Sequence, residues 1–433
     1  MNWKINNKSK YKTILDKAKE EKRAAIHSFH RYYGKLIPAI PNAFIKEFTN
    51  KNDIVGDLFS GSGTVAVESK LLNRNFIGCE INPLSHLISK VKTTTYNINL
   101  LNQMNEIIEN KLYDSEYRKN VSVEKVPYCV NIDHWFKQEV QDDLMYIKAI
   151  IDEVVNNNVK EEISLYKNFY YSVMSAIIRN VSNADPATVF PGISKRIRRL
   201  EEEGKIHKDA IKTFINALKK RTKYFEDYPN SNSTINIINE NSVTADLSDY
   251  NGKVSLFVTN PPYISSVRYI ETMKLEMYWL EYIKSSEEYG SLAKVMLGND
   301  KVTKNEFINL TKTKYDEINK VVDEISLKSP KDAYIVAKYF NDMESIIIKM
   351  NTLLKNEGKV VVKISDSNVK KTKVETGKFL TLIAENHGFK LNTVFLDKIN
   401  ENGRSLTTAR NTYSDIILND NIIIWEKVGE SNV

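Results

Sequence analysis

The segment Thr259-Asn260-Pro261-Pro262-Tyr263 follows a short apolar run, Val-Ser-Leu-Phe-Val, at residues 254–258. An apolar run of this length predicts a strand that is buried on both faces. Two consecutive prolines cannot continue a hydrogen-bond ladder, so the strand must end there in a stiff turn. Open α/β sheets bind their ligands at the carboxyl ends of their strands. We therefore expect this turn to carry a ligand site.

The groups in this turn suit a planar exocyclic amine. Asn260 offers an amide oxygen, Pro261 a backbone carbonyl and Tyr263 an aromatic face. Two acceptors can bind both N–H groups of the amine and favour a pyramidal, more nucleophilic nitrogen, while Tyr263 stacks on the ring. The alternative is a Pro-Pro turn after a buried strand with no further role. The tetrapeptide alone leaves both interpretations open.

A second segment predicts a nucleotide-type site. Residues 53–59 are strand-like, residues 60–64 (Ser-Gly-Ser-Gly-Thr) form a glycine-rich turn, and a helix follows at 65–72. This order of elements is the nucleotide-binding geometry. A second predicted strand ends at Glu80, whose carboxylate can accept both hydroxyls of a ribose. The turn is neither a GxGxxG nor a P-loop, and a dinucleotide or flavin site stays open as the alternative.

These segments resemble motifs of the DNA amino-methyltransferases, which transfer a methyl group from S-adenosylmethionine to adenine N6 or cytosine N4. The turn at 259–263 resembles motif IV, residues 57–64 and Glu80 resemble motifs I and II, and residues 30–41 resemble motif X. Asp246, after a predicted strand at 234–238, resembles motif III. The aromatic helix predicted at 268–280 is similar to motif V. The resemblance implies cofactor contacts from Tyr33, Lys35, Pro38, Asp57, Phe59, Gly61, Gly63, Thr64, Glu80, Asp246 and Asn260, and a catalytic set of Asn260, Pro261, Pro262 and Tyr263.

A long helical stretch separates the first two predicted strands from the third. Residues 191–225 hold eleven Lys and Arg against four acidic residues, a local net charge of +7 that equals the excess of the whole chain. Such a patch can neutralise phosphates; a solvated helix face is the alternative. The stretch, with its Ser-Asn-Ala-Asp break at 182–185, resembles an insertion in a set of bacterial DNA methyltransferases. We expect DNA contacts from Tyr263, Arg196, Arg198, Arg199 and Arg268, and phosphate contacts from Arg404 and Arg410.

The fold class expected is α/β, a Rossmann-like seven-stranded methyltransferase sheet with a large helical insertion. Later strands are predicted at 359–364, 391–396 and 422–425, the last of them antiparallel by resemblance. A helix at 334–354 should end at Asn356-Glu357-Gly358, and another at 379–386 near Gly388. The predicted divisions are an N-terminal arm with motif X (1–50), a first core segment (51–95), a helical insertion with a possible DNA-binding role (96–233), a second core segment with the catalytic motif (234–283), a polar insertion acting as a lid or recognition loop (284–333) and a third core segment (334–433).

Composition narrows the class of protein. The 433 residues are 42% hydrophobic and 27% charged, with a net charge of +7. Neither an apolar run of about 18 residues nor a signal peptide is present, so we expect a cytoplasmic protein without a membrane partner. The two cysteines and six scattered histidines predict no metal site. Neither cysteine stands in a Pro-Cys motif, which argues against cytosine C5 chemistry.

The resemblance implies a site-specific DNA methyltransferase with S-adenosylmethionine as cofactor and double-stranded DNA as partner. The target base would be flipped out of the duplex, because its amine is otherwise unreachable. Asn at the first position of motif IV favours adenine N6. Cytosine N4 stays open, since the surrounding pattern resembles relatives that carry Ser-Pro-Pro-Tyr. An RNA or protein-glutamine methyltransferase and a non-catalytic DNA-binding specificity subunit are further alternatives. A role in restriction-modification or phage defence, with a cognate endonuclease, is expected.

Overall fold

The computed structural model describes residues 3–206, 208–228, 231–264, 268–298, 302–308, 312–398 and 419–429. The predicted phosphate contacts Arg404 and Arg410 lie outside these ranges. The strands are β1 (Ile54–Asp57), β2 (Asn75–Cys79), β3 (Ile235–Ile238), β4 (Val254–Thr259), β5 (Leu354–Ile364), β6 (Ser367–Val369), β7 (Thr372–Val374), β8 (Phe389–Lys398) and β9 (Asn419–Lys427).

Seven of these strands form one sheet in the order β3-β2-β1-β4-β5-β9-β8. The pairings from β3 through β5 are parallel, and β9 runs antiparallel to both β5 and β8. The strand order reverses direction at β1, so a crevice opens between the carboxyl ends of β1 and β4. The prediction of a seven-stranded Rossmann-like sheet with an antiparallel last strand is confirmed.

Helices cover the sheet and fill the insertion between β2 and β3. They are α1 (Lys10–Glu20), α2 (Ala39–Phe48), α3 (Thr64–Leu71), α4 (Pro83–Thr93), α5 (Ile98–Tyr113), α6 (Ser115–Asn120), α7 (Ile132–Trp135), α8 (Gln138–Asn158), α9 (Ile163–Val181), α10 (Lys195–Glu202), α11 (Ala210–Glu226), α12 (Tyr269–Thr272), α13 (Lys274–Trp279), α14 (Ser286–Lys294), α15 (Lys304–Ile308), α16 (Asp316–Ser326), α17 (Pro330–Leu353) and α18 (Thr376–Asn386). Among the described helices, none has the length and apolar content needed to cross a lipid bilayer.

The sheet separates two apolar layers because side chains alternate along a strand. In β5, Val360 and Val362 pack against α16, α17 and α18, whereas Val361 packs against α1 and α2 on the other face. All six residues of β4 are buried, as a strand covered on both faces should be. A third apolar cluster lies inside the insertion, between α5, α8, α9 and α11, and α13 packs against it. The insertion therefore has its own core and joins the sheet near the predicted ligand site.

Several local predictions need correction. The helix α17 ends at Leu353, and the segment Asn356-Glu357-Gly358, predicted as its cap, already belongs to β5. The aromatic helix predicted at 268–280 is broken into α12 and α13 at Met273. In the segment 284–333, which has little apolar periodicity overall, α16 buries Ile318, Val322 and Ile325 at helical spacing.

The hairpin of β6 and β7 was not predicted. Its two central residues, Lys370 and Lys371, have φ values of 51° and 62°. A two-residue hairpin turn with positive φ at both positions normally carries Asn or Gly, and the turn Val-Lys-Lys-Thr at 369–372 has neither. Lysine at these positions gives no sequence signal for a turn.

Candidate active site

A cavity of 790 Å³ opens at the carboxyl ends of β1, β2 and β4. This volume is within the range of small-molecule sites. Its wall combines several segments from the sheet side of the molecule with residues from the segment 284–333. The lining includes Tyr32, Gly34, Lys35 and Leu36, residues 57–62, Thr64 and Val65, residues 79–81, residues 241–244, Asn260 and Pro262, Arg268 and Tyr269, and Tyr289 with residues 293–298.

The glycine-rich turn after β1 is fastened to the end of β2. The backbone N–H of Gly61 donates to Glu80 Oε2 at 2.7 Å, and the backbone N–H of Asn82 donates to Glu80 Oε1 at 2.8 Å. Gly61 has a φ of 51°, in the left-handed region that favours glycine. Burial raises the pKa of Glu80 to about 7. Each carboxylate oxygen keeps a lone pair for a ligand hydroxyl.

Asp57 occupies the inner end of the same turn. Its Oδ1 accepts from the backbone N–H of Phe59 at 3.0 Å and from Thr259 Oγ1 at 2.7 Å. Burial raises the pKa of Asp57 to about 7 as well. The bond to Thr259 ties the glycine-rich turn to the strand that carries Asn260, so the two predicted motifs share one rigid corner.

The residues in and around this turn have different surroundings. Gly63 does not line the cavity: a Cβ there would lie 2.6 Å from Ser89 Cβ, so glycine is required for α3 to pack on α4. Thr64 and Phe59 do line it. The Oγ of Ser62 is buried and has no hydrogen-bond partner among the described residues. A buried polar atom without a partner at a cavity wall marks a place for a polar ligand atom.

The catalytic turn predicted from sequence lies on the same wall. Asn260 Nδ2 donates to the carbonyl of Gly34 at 3.3 Å, which fixes the orientation of the amide. Asn260 and Pro262 line the cavity, whereas Pro261 is buried and does not. The acceptor role of the Pro261 carbonyl therefore stays a prediction.

Tyr263 lies next to Asn260 but behind the cavity wall. The residue is 8% exposed and does not line the cavity. Its hydroxyl lies 3.4 Å from Asn260 Oδ1, 3.1 Å from Asp420 Oδ1 and 3.1 Å from Lys363 Nζ. Stacking of Tyr263 on a base would require the ring to leave this position, and that role stays a prediction.

The motif X segment contributes through different residues from those expected. Tyr32 lines the cavity, and its hydroxyl lies 3.2 Å from the position of a Cβ at Gly61. Tyr33 instead donates to the carbonyl of Thr188 at 2.6 Å, and Pro38 borders a separate cavity of 410 Å³. Lys35 lines the main cavity while its Nζ donates to the carbonyl of His27 at 2.6 Å. Tyr32 lines the cavity and Tyr33 and Pro38 do not, and adjacent tyrosines in a loop give no periodicity that separates them. The cofactor contacts of Tyr33 and Pro38 stay predictions.

Asp246 also lies outside the cavity. Its side chain is exposed, and Oδ1 accepts from the backbone N–H of Ser248 at 3.0 Å, at the start of a 3-10 turn (Ser248–Tyr250). The chain has turned away from the sheet edge by this point. Residues 241–244, which follow β3 closely, line the cavity in its place.

The basic residues predicted to bind DNA are not equivalent. Arg196 forms an ion pair with the buried carboxylate of Asp185 and so has a structural partner. Arg198 is exposed, and Arg199 lies 3.7 Å from Glu203. Arg268 lines the cavity and lies 3.3 Å from Glu271 with its side chain 57% exposed. Only the last of these stands at the cavity itself.

Several lining residues were not predicted as site residues from the sequence, and those on α17 are Ile335, Lys338, Tyr339, Asp342 and Ile346. Phe190, in the loop before α10, borders the cavity, as do residues of α14 and the turn after it. Neither segment has a motif, because exposed loops are placed by tertiary contacts. Cys79 also lines the cavity, and burial raises the pKa of its thiol to about 12. Within the described ranges, no group of three or more His, Cys, Asp or Glu side chains is placed to hold a metal ion.

Comparisons with known proteins agree with this architecture. Residues 2–90 match the N6_N4_Mtase family model, described as DNA methylase. The type II methyltransferase M.MvaI of Kocuria varians is 27% identical over 394 residues, covering 86% of this chain and 83% of that protein. M.BsoBI of Geobacillus stearothermophilus is 23% identical over 461 residues, covering 94% and 86%. The chain is thus similar to DNA N6/N4 methyltransferases: a DNA methylase family model matches its residues 2–90, and two type II methyltransferases align with most of its length.

Proposed function

We propose that this protein methylates the exocyclic amine of a base in a specific sequence of double-stranded DNA, with adenine N6 as the first candidate and cytosine N4 as the alternative. One observation carries the proposal. The glycine-rich turn with Glu80 and the turn with Asn260 line a single cavity, and Asp57 joins them through Thr259. A cofactor site and an amine-binding site thus meet in one place.

The DNA methylase family implies S-adenosylmethionine as the methyl donor. When bound, this cofactor supplies an electrophilic methyl group on a sulfonium. The residues present fit it: Glu80 has carboxylate lone pairs for ribose hydroxyls, and the unpartnered Ser62 Oγ is a further polar contact. Residues 241–244 and Tyr32 line the same cavity and would provide further contacts with the cofactor.

The side chains of this chain would act on the target amine by position and polarity. Asn260 Oδ1 would accept one amine N–H, with the amide oriented by the carbonyl of Gly34. A fixed acceptor of this kind lowers the barrier because it is already in place when charge develops on nitrogen. The thiol of Cys79 stays protonated near neutral pH, which is consistent with direct transfer and no covalent cysteine adduct.

Several surfaces support DNA as the substrate. Arg268 stands at the mouth of the cavity, and the insertion presents Arg198 and Arg199. We propose that the insertion contacts the phosphates and that the segment 284–333, which lines the cavity, acts as a lid or recognition loop. A cognate restriction endonuclease would be the functional partner.

The first test compares the intact chain with Asn260→Ala. Genomic DNA from cells that express each chain would be read for modified bases. We expect one methylated sequence motif with the intact chain, and the modified base identifies adenine or cytosine. In purified protein, Asn260→Ala should lower kcat by about 10²- to 10³-fold while cofactor affinity stays unchanged.

The alternatives predict different results from the same material. Methylation of RNA or of a glutamine-containing release-factor peptide, but not of DNA, would contradict the proposal. Cofactor binding without turnover on any DNA would instead indicate a non-catalytic specificity subunit. Equal activity of Asn260→Ala and the intact chain would remove Asn260 from the mechanism.

A further inference from the structure

We infer that Lys363 and Asp420 are positioning residues for Asn260, and that they act through the hydroxyl of Tyr263. The inference rests on the proposed function and extends it. It concerns which acceptor receives the proton of Tyr263, and therefore whether Asn260 Oδ1 is available to the target amine.

The two residues form a buried pair behind the catalytic turn. Lys363 lies on β5 and Asp420 on the adjacent strand β9, with Nζ 2.6 Å from Oδ2 and side chains only 12% and 8% exposed. Ser365 also donates to Asp420 Oδ1. Burial raises the pKa of Asp420, but the charge of Lys363 and the hydrogen bonds from Lys363, Ser365 and Tyr263 outweigh it and hold that pKa below its ordinary value. Asp420 is therefore an ionised acceptor.

The hydrogen-bond donors and acceptors around the Tyr263 hydroxyl determine which group receives its proton. A protonated Lys363 has only donors, so the oxygen of Tyr263 accepts from its Nζ at 3.1 Å. A phenol has one O–H proton, and within the described part of the chain Asp420 Oδ1 at 3.1 Å and Asn260 Oδ1 at 3.4 Å compete for it. An ionised carboxylate is a stronger acceptor than a neutral amide, and here it is also the nearer one.

The hydroxyl of Tyr263 therefore donates its proton to the carboxylate of Asp420. Asn260 Oδ1 is then available to accept from the amine of the target base. The other end of the same amide is held by the carbonyl of Gly34 at 3.3 Å, so the side chain cannot present Nδ2 instead. If the carboxylate were neutral, Tyr263 would donate to Asn260 and compete with the amine of the base.

A purely structural role does not explain this arrangement well. A buried ion pair costs desolvation that apolar side chains of similar size avoid, so it is weak as a device for stability alone. The ionised carboxylate of Asp420 accepts the proton of Tyr263 and so keeps it from Asn260. An apolar pair at the same place could not do this.

The experiment is a double-mutant cycle in the full chain. Asp420→Asn should lower kcat about tenfold with little change in KM for the cofactor, because the neutral amide no longer draws the proton from Asn260. In a Tyr263→Phe background there is no phenol proton to misplace, so adding Asp420→Asn should cost less than about twofold. Ser365→Ala is the matched control, since Ser365 contacts Asp420 but not Tyr263, and it should leave kcat within about twofold.

A binding measurement reports the same contact without turnover. The affinity for a duplex with the target base is compared with that for a duplex carrying its amine-free analogue, purine for adenine or pyrimidin-2-one for cytosine. The intact chain should prefer the amine, Asp420→Asn should lose the preference, and the double variant Tyr263→Phe/Asp420→Asn should regain it.

The outcomes separate the inference from the proposed function. If the intact chain methylates DNA but the losses from Tyr263→Phe and Asp420→Asn multiply, the pair is only structural and the inference is wrong. An unchanged preference for the amine in Asp420→Asn would also overturn it. A chain that methylates no DNA overturns the proposed function itself, and the inference falls with it.

Discussion

Two loops at the cavity are held in place by opposite means. The glycine-rich turn, residues 60–64, is fixed by its own backbone between β1 and α3 and by one carboxylate, Glu80, from the adjacent strand end. The insertion loop, residues 185–194, is fixed by side chains, two of which, Arg31 and Tyr33, come from the N-terminal segment. The carbonyl of Thr188 accepts from Arg31 at 3.0 Å, Tyr33 at 2.6 Å and Arg179 at 3.2 Å.

The carboxylate of Asp185 completes the insertion loop. It accepts from the backbone N–H of Ala187 at 2.8 Å, from Ser194 Oγ at 2.5 Å and from Arg196. The comparison shows why one loop is visible in the sequence and the other is not. A turn fixed by backbone geometry needs glycines at particular positions, which a sequence shows, whereas the contacts of Arg31 and Tyr33 with the carbonyl of Thr188 leave no local pattern in the loop.

The largest effect expected from this comparison concerns Glu80. Glu80→Gln keeps the shape of the side chain but removes the charge, so affinity for S-adenosylmethionine should fall by about 10- to 100-fold. Because the pKa of Glu80 is raised to about 7, the ionised form is present above that pH. Affinity in the intact chain should therefore rise as pH increases through about 7 and weaken below it. Calorimetric titration at several pH values measures both.

Asp57→Asn changes the neighbouring carboxylate and is compared with Glu80→Gln in the same titration. The pKa of Asp57 is also raised to about 7, and its charge contributes to the shift at Glu80. The pKa near 7 is therefore shared by the two carboxylates. Asp57, however, accepts hydrogen bonds from Phe59 and Thr259 and not from Gly61. A Glu80→Gln variant that keeps the pH profile of the intact chain would contradict the role given to Glu80.

A smaller effect should separate two neighbouring arginines of the insertion. Arg198→Ala should weaken DNA binding across all sequences and flatten the plot of log affinity against log salt by about 0.9 for each phosphate that is no longer neutralised. Arg196→Ala should leave that slope unchanged and lower the melting temperature instead, because Asp185 loses its ion pair. Binding titrations over a salt series and thermal unfolding distinguish the two.

The pH dependence of stability tests the ion pair between Asp185 and Arg196. Burial raises the pKa of Asp185, but hydrogen bonds from Arg196 and Ser194 outweigh it and bring that pKa to about 2. The stability that this carboxylate contributes is therefore fully present above its ordinary pKa of about 4 and is lost as pH falls towards 2. Equal loss of salt dependence in Arg196→Ala and Arg198→Ala would return Arg196 to the phosphate-binding set.

The smallest effect concerns the adjacent tyrosines. Tyr33→Phe removes the hydrogen bond to the carbonyl of Thr188, so the free energy of unfolding should fall by about 1 kcal/mol while cofactor affinity stays unchanged. Tyr32→Ala, one residue earlier, should lower cofactor affinity because Tyr32 lines the cavity. Reduced cofactor affinity in Tyr33→Phe would restore the contact that the sequence predicted.

The features that could be predicted from the sequence are those that local backbone geometry determines. The seven-stranded sheet and the shared wall of Gly61, Glu80 and Asn260 could be predicted because strand ends, glycine turns and prolines constrain the backbone locally. The sequence could not show that Asp246 and Tyr33 form hydrogen bonds outside the cavity, because the direction of each side chain depends on how its loop is placed in the fold. Lys363 and Asp420, which lie behind the cavity wall, could not be predicted from local sequence, because they come together only when β5 and β9 pair.

The position of β9 has a consequence for the order of events during protein synthesis. Asp420 leaves the ribosome 157 residues after Tyr263, and its strand must then enter between β5 and β8. A nascent chain, which folds from its amino terminus, already has the glycine-rich turn and Asn260 before this happens. Until the strand is inserted, no carboxylate draws the Tyr263 proton away from Asn260. On the proposed function, newly made molecules would reach full activity only after the late strand has joined the sheet.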